Sequence, residues 1–388
     1  MTCVFISNFF NHHQKPLSDA LSRITDNNYH FIETYPMSDA RKSLGWTVND
    51  YPEYVKKIYE SEETRRLCIS LIDNADVVII GSAPDELIKN RLKNGALTFR
   101  DWERIYKSGY EWYKTPKWLV SFYLKSGRHK SLYALCASAY TAADFAKTFT
   151  FLGKTYKWGY FPPAKHYDNI DALIDKKEPS SILWAGRLID WKHAESAVRV
   201  AAKLKSDGYI FRLKIAGDGP LRERLKRQIE DEGLSGCVIM LGSLLPERVR
   251  EYMEKSQIYL FTSDRNEGWG VVLNESMNSG CAVVASHIIG SAPFLIEHRH
   301  SGLFYRDGDF EDLYKNVKWL LDNDIERRKI GACAYNTITE QWNAENAAAR
   351  FICLAEAIQV KNKKPDLFES GVCSKAPIIK DNWFEPEK

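Results

Sequence analysis

The chain has 388 residues, enough for two domains with some chain to spare. Hydrophobic residues make up 44% and charged residues 27%, which excludes a disordered or fibrous polymer. Lys and Arg number 54 against 51 Asp and Glu, and the resulting +3 is too balanced to mark a nucleic-acid binder.

Aromatics reach 13%, a surplus that suits carbohydrate contacts or simply aromatic-rich packing. No stretch approaches the roughly 20 apolar residues of a membrane span. The opening MTCVFISNFFNHHQ has neither the basic region nor the cleavage site of a signal peptide, so a cytoplasmic location is expected. The eight cysteines are scattered, with no C-x-x-C pair, and are expected as small hydrophobes rather than disulfides or metal ligands.

The first half opens with a strand, CVFISNFF, running into the polar loop Asn11-His12-His13-Gln14 and then an amphipathic helix from about Leu17. ADVVIIG reads as a buried parallel strand stopped by glycine, and LYALCASAY and KWGYFPP as later strand ends of the same sheet. The region from about Leu97 to Lys130 breaks this alternation. Within it, Trp102 to Lys130 interleaves aromatic residues with seven cations (Arg104, Lys107, Lys114, Lys117, Lys125, Arg128 and Lys130) against two acids. Such a segment fits an anionic membrane surface, or Lys stems lying over aromatic packing.

Pro162-Pro163 and the polar AKHYDNIDALIDKKEPS read as a boundary. The alternation then restarts. SILWAGRL, FRLKIAGDGP, CVIMLGSL, IYLFTSDRNEGWG and CAVVASHIIG are about five strands, each with its turn, and helices lie between them. A long helix, WNAENAAARFICLAEAIQV, follows, and the last twenty or so residues carry no strong pattern. The division is an N-terminal domain over 1–163, a linker over 164–180, a C-terminal domain over 181–345, and a helix and tail over 346–388.

In open α/β sheets, ligands bind beyond the carboxyl ends of the strands. In the second half those ends carry Gly186-Arg187 with Lys192 close behind, then Gly217-Asp218-Gly219, then Glu267-Gly268-Trp269-Gly270 leading into a helix with Glu275. Gly268 and Gly270 let the backbone approach a ligand, and the helix start offers free N–H groups, which together favour a diphosphate. Arg187 and Lys192 supply cations for the same anion. The two glutamates suit the hydroxyls of a ribose or hexose. The grouping describes a site for a sugar joined to a nucleoside diphosphate. A dinucleotide dehydrogenase is disfavoured, because no G-x-G-x-x-G follows the first strand of either half.

The strings WAGRLIDWKH, IAGDGP, VIMLGSL, EGWGVVLNESMNSGCAVVAS and HSGLFYRDGD resemble the family 4 glycosyltransferases of the GT-B fold, and Glu267 to Glu275 reproduces that family's E-x7-E signature. The resemblance covers Ser181 to about Asp309. It implies two Rossmann-like, doubly wound domains facing across a cleft, with the last helix crossing back to the first domain. By the same resemblance, Arg187 and Lys192 neutralise the donor diphosphate. Glu267 sits beside the transferred sugar with backbone near Gly268 to Gly270, Val271 and Val272 face the phosphates, and Glu275 holds the ribose. It further implies retention of configuration, no metal or other cofactor, a UDP- or GDP-sugar donor, and a glycan or lipid-linked acceptor in capsule, O-antigen or exopolysaccharide assembly, reached at the inner face of the membrane.

Two places depart from the family pattern: His193 stands where a Gly often follows the Lys, and NHHQKP replaces a Gly-Gly turn. Asn11, His12, His13 and Gln14 are candidates for sugar, phosphate or acceptor contact, or for helix capping. Asp307-Gly308-Asp309 reads as a turn rather than a D-x-D metal site. A nucleotide-sugar epimerase and a non-catalytic sugar-nucleotide-binding subunit remain alternatives.

Overall fold

The computed structural model describes residues 1–39, 50–107, 109, 115–361 and 366–386. They form two compact units, one of residues 1–163 and 342–380, the other of 164–341 and 381–388. Residues 164–180, read above as a linker, belong to the second unit and carry the helix Ile170–Asp175, whose N-cap Asn169 accepts the N–H of Ala172. No helix among the described residues is long and apolar enough to cross a membrane.

The first unit is built on seven strands: β1 (Cys3–Ser7), β2 (Tyr29–Glu33), β3 (Val55–Lys57), β4 (Val77–Ile80), β5 (Thr98–Trp102), β6 (Leu132–Cys136) and β7 (Thr155–Lys157). Their order is β3-β2-β1-β4-β5-β6-β7, and every pairing is parallel. β1, β4 and β6 are buried along their whole length, as strands covered on both faces must be. β5 lies inside the region that looked irregular, and β7 ends at Lys157, the first residue of KWGYFPP. Helix Lys15–Ile24 starts with Pro at its first turn and packs against Ala344–Lys361, where Arg23 and Glu345 pair at 3.1 Å. The patternless tail also finds a place here: Cys373, Ser374 and Ala376 exchange backbone hydrogen bonds with β7.

The second unit has six strands, β8 (Ser181–Ala185), β9 (Arg212–Ala216), β10 (Val238–Gly242), β11 (Ile258–Phe261), β12 (Ala282–Ser286) and β13 (Leu303–Tyr305). They are ordered β10-β9-β8-β11-β12-β13, again all parallel. Numbered within the unit, that is 3-2-1-4-5-6, the doubly wound order whose ligand crevice opens where the strand order reverses. The reversal lies between β8 and β11. Ile182, Trp184, Leu213, Ile215, Leu260 and Val284 form the centre of its core, against Val198, Ala201 and Leu204 of helix Ala194–Ser206.

Candidate functional site

The loops after β8 and β11 meet at this reversal. Thr262, just beyond β11, donates its hydroxyl to the carbonyls of Lys192 and His193 at 2.8 and 3.0 Å and accepts from the Trp184 indole at 2.9 Å. The N–H of Asp264 bonds to the carbonyl of Trp191 at 3.0 Å. These links hold the Arg187–Lys192 loop against the Glu267 loop.

Lys192 and Glu267 are partners. The Lys192 Nζ lies 2.5 Å from Glu267 Oε2, with both side chains about nine-tenths buried, and the Ser263 hydroxyl donates to the same oxygen at 2.9 Å. A buried carboxylate needs such partners. Arg187 differs. It is exposed and its side chain makes no hydrogen bond or ion pair among the described residues, so its guanidinium fork is open to an incoming anion.

Helix Val271–Asn278 begins at Gly270, whose φ of +83° is left-handed. A Cβ there would stand 2.3 Å from a ring atom of Phe261, so the position requires glycine twice over. The N–H groups of Val271 and Val272 in the first turn have no carbonyl to bond within the helix. Gly268 and Trp269 are buried. The Trp269 indole donates to Asn274 at 2.8 Å and its carbonyl accepts from Ser291. Gly217, after β9, meets Gly186 so closely that a Cβ would lie 1.8 Å from the Gly186 oxygen.

Glu275 follows one turn into the helix. Its carboxylate makes no hydrogen bond among the described residues, while its backbone carbonyl accepts from Arg250 and Ser279. Burial pushes the carboxyl up to about 7, with the Arg250 charge opposing. An acid so placed is poised for a hydroxyl partner.

His193 adopts φ +49°, the left-handed conformation that a glycine takes without cost. Its imidazole lies 2.9 Å from Glu195 and 3.6 Å from Asp264. The hydrogen bond to Glu195 raises its pKa. Asp309 caps helix Phe310–Asp322 by accepting the N–H of Asp312, and Asp307 accepts from the Ser286 hydroxyl at 3.1 Å.

In the first unit, Asn11, His12, His13 and Gln14 follow β1, beside the reversal between β1 and β4. Asn11 is buried and its Oδ1 accepts the N–H groups of His13 and Gln14 at 2.9 and 3.2 Å, a turn role. Gln14 donates to Ser7 Oγ at 3.4 Å. The rings of His12 and His13 lie 3.8 Å apart, and burial, with His12 beside it, lowers His13 to about 3, so His13 is neutral near neutral pH. Sequence reasoning missed Glu33 at the end of β2. Almost fully buried, it accepts from the Phe10 N–H at 2.8 Å and from the Tyr51 and Tyr59 hydroxyls, and so fixes the entry to this loop. A single acid in a short strand gave no signal.

The basic aromatic segment 102–130 divides. Arg104 and Tyr106 are buried, with the Arg104 guanidinium 4.7 Å over the Tyr140 ring, and Lys107 pairs with Glu103 at 2.7 Å. Tyr110, Glu111, Trp112, Tyr113 and Lys114 lie outside the described residues, as do the side chains of Trp118, Phe122 and Lys125.

Residues 168–337 match the family model described as glycosyl transferases group 1. The amylovoran biosynthesis glycosyltransferase AmsK of Erwinia amylovora is 35% identical over 141 residues, 35% of this chain and 34% of AmsK. The putative colanic acid biosynthesis glycosyltransferase WcaL of Escherichia coli is 30% identical over 144 residues, 36% of this chain and 35% of WcaL. The chain thus spans about a third of the length of these relatives. In fold the likeness runs through both units. The Anabaena HepE structure in complex with UDP covers 93% of this chain and is itself covered in full, with a TM-score of 0.65 at 14% identity. TarM covers 92%, with 99% of its own chain matched, at 0.65 and 11%. The architecture is therefore GT-B, two Rossmann-like parallel-sheet domains.

Proposed function

We propose that the protein is a retaining glycosyltransferase of family 4 type that moves a sugar from a nucleotide-sugar to a glycan acceptor in surface-polysaccharide assembly. The observation that carries this reading is the grouping at the β8/β11 reversal: an open Arg187, the Lys192–Glu267 pair, the Val271–Val272 helix start and an unpartnered Glu275. Arg187 and Lys192 bind the diphosphate and stabilise the charge that grows on it as the glycosidic bond breaks. Lys192 has three donors, so it can hold Glu267 and a phosphate oxygen together. Glu267 faces the sugar hydroxyls, and Glu275 takes the ribose. The names of the matched relatives, AmsK and WcaL, support the polysaccharide setting, and the bound UDP of HepE supports a uridine nucleotide among possible donors.

No resident metal or cofactor is needed on this reading, because Arg187 and Lys192 take the place of a cation at the diphosphate. A thermal-shift screen against nucleoside diphosphates and nucleotide-sugars tests it, since a ligand that binds only the native state raises its stability. Stabilisation by a nucleoside diphosphate, with sugar transfer to a glycan, is expected. Binding without any transfer or hydrolysis would favour a non-catalytic subunit, and sugar inversion on the nucleotide an epimerase.

A lipid-linked acceptor at an anionic membrane surface is the finer reading, favoured by the first unit. Val120, Tyr123 and Leu124, at helical spacing, are each half or more exposed, and Lys117, Arg128 and Lys130 around them are exposed too. Each engaged cation contributes about 1 kcal/mol at such a surface. Co-sedimentation with anionic vesicles should therefore fall with salt and with the triple change Lys117→Glu, Arg128→Glu and Lys130→Glu. An unchanged bound fraction would leave the enzyme working in solution.

A further inference from the structure

The described chain ends in the second unit, where residues 381–386 lie against the loops of the candidate donor site. The Asp381 carboxylate takes the Arg265 guanidinium at 3.0 Å, and its backbone carbonyl accepts from His287 Nε2 at 2.9 Å. His287 Nδ1 in turn accepts the N–H of Asp307 at 3.0 Å, so the two bonds fix one neutral tautomer. Beyond Asp381, Trp383 meets the Phe304 ring edge-on at 5.2 Å, and Phe384 lies 5.3 Å from His298 and 5.6 Å from Phe304. Two aromatic rings thus seat the segment and leave Asp381 aimed at Arg265.

Arg265 stands two residues before Glu267 in the loop after β11, and His287 opens the loop after β12. Besides the Lys192 loop, those two loops hold Glu267. The first supplies the Ser263 hydroxyl to its carboxylate, and the second supplies the Gly290 N–H to its backbone carbonyl at 3.2 Å. Asp381 is hydrogen-bonded to both. An ion pair whose side chains are 33% and 41% exposed adds little to stability. What it does is restrict where the two loops stand relative to each other.

We propose that Asp381 is a positioning residue for Glu267: by tying Arg265 and His287 together it keeps the Glu267 carboxylate placed for the transferred sugar. The proposal rests on the donor-site reading above. It assigns a role in transfer to a segment that lies outside the family match.

The test compares wild type with Asp381→Ala, Arg265→Ala, the double variant, and Trp383→Ala/Phe384→Ala. Three quantities are measured: steady-state transfer from the best donor, calorimetric affinity for its nucleoside diphosphate, and amide hydrogen exchange over 262–270 and 286–291. Loss of Asp381 should lower kcat about ten- to a hundredfold, the cost of a reacting group displaced by about an ångström. Nucleoside diphosphate affinity should fall much less than kcat, because Glu267 faces the sugar and reaches the phosphate only through Lys192. Exchange over 262–270 should quicken, while 286–291, still bonded through the Asp381 backbone carbonyl, should change less, and the double variant should be no worse than the poorer single one, since the two residues act as a unit. Unchanged exchange or unchanged kcat in Asp381→Ala overturns the proposal. So does a loss of nucleotide affinity in parallel with a fall in Tm, which would make the segment a structural strap alone. Wild type that binds no nucleoside diphosphate would instead bring down the donor-site reading, a result visible before any variant is made.

Discussion

Replacing Glu275 by Gln separates the charge of this residue from its shape. In the ligand-free protein burial holds the carboxyl at about 7, against an ordinary value of 4.5. A group whose folded pKa is raised keeps its proton longer in the native state, so the native state binds more protons between the two values. Stability therefore falls as pH rises through that window, and the full penalty applies above about 7. The shift corresponds to a penalty on the order of 3 kcal/mol. Glu275→Gln should thus raise the Tm of the free protein at about pH 8 and leave it nearly unchanged below about pH 5. Ligand binding should move the other way. A ribose hydroxyl donating to a carboxylate is worth about 1.5–3 kcal/mol, so the variant should bind nucleoside diphosphate about 10- to 150-fold more weakly at alkaline pH. Wild-type affinity should climb with pH through about 7 as the acceptor ionises. The terminal phosphate of the ligand itself titrates near about 6, so the difference between wild type and variant, by calorimetry across that range, is the quantity to follow. Equal affinities, or a difference that does not grow with pH, would refute the assignment of Glu275 to the ribose.

Arg187→Ala and Lys192→Ala should each lower kcat/KM by roughly 100-fold or more, through lost charge stabilisation of the departing diphosphate. Melting curves should tell them apart: exposed Arg187 carries no partner, whereas losing Lys192 strips the cation from buried Glu267 and should cost about 1–3 kcal/mol. Transfer should survive EDTA, and strict dependence on an added metal would contradict the reading of Asp307 and Asp309 as a turn and a cap. Gly270→Ala should destabilise by clearly more than Gly308→Ala. Both have positive φ, worth about 1 kcal/mol, but only Gly270 has a ring within 2.3 Å of the added methyl.

The second unit was legible because its signals are local. Each of β8, β11 and β12 is a short apolar run ended by a small or polar turn, and the helices between them alternate with a 3.6-residue period. The first unit hid more. β5 reads TFRDW, and no periodicity suggests that Arg100 is to be matched by Asp85 or that desolvation pushes the half-buried Asp101 carboxyl up to about 8. Glu33 gives no pattern either, since its role depends on Phe10, Tyr51 and Tyr59, which the chain supplies from far apart.

In the candidate site the residue types were legible and their pairings were not. Arg187, Lys192, Glu267 and Glu275 stand out by spacing, yet the contact between Lys192 and Glu267 joins positions 75 residues apart and exists only once β8 and β11 lie side by side. His193 looked like a departure from glycine, and only the structure shows that its backbone takes the left-handed angle that glycine takes without cost. The tail is the extreme case. A segment that bonds to one strand edge at 373–376 and seats two rings at 383–384 needs no repeating pattern, because each contact is made by a different residue with a different partner. Periodicity reports elements that bury a continuous face. It is silent about a chain held at a few separate points, and Asp381 is such a point.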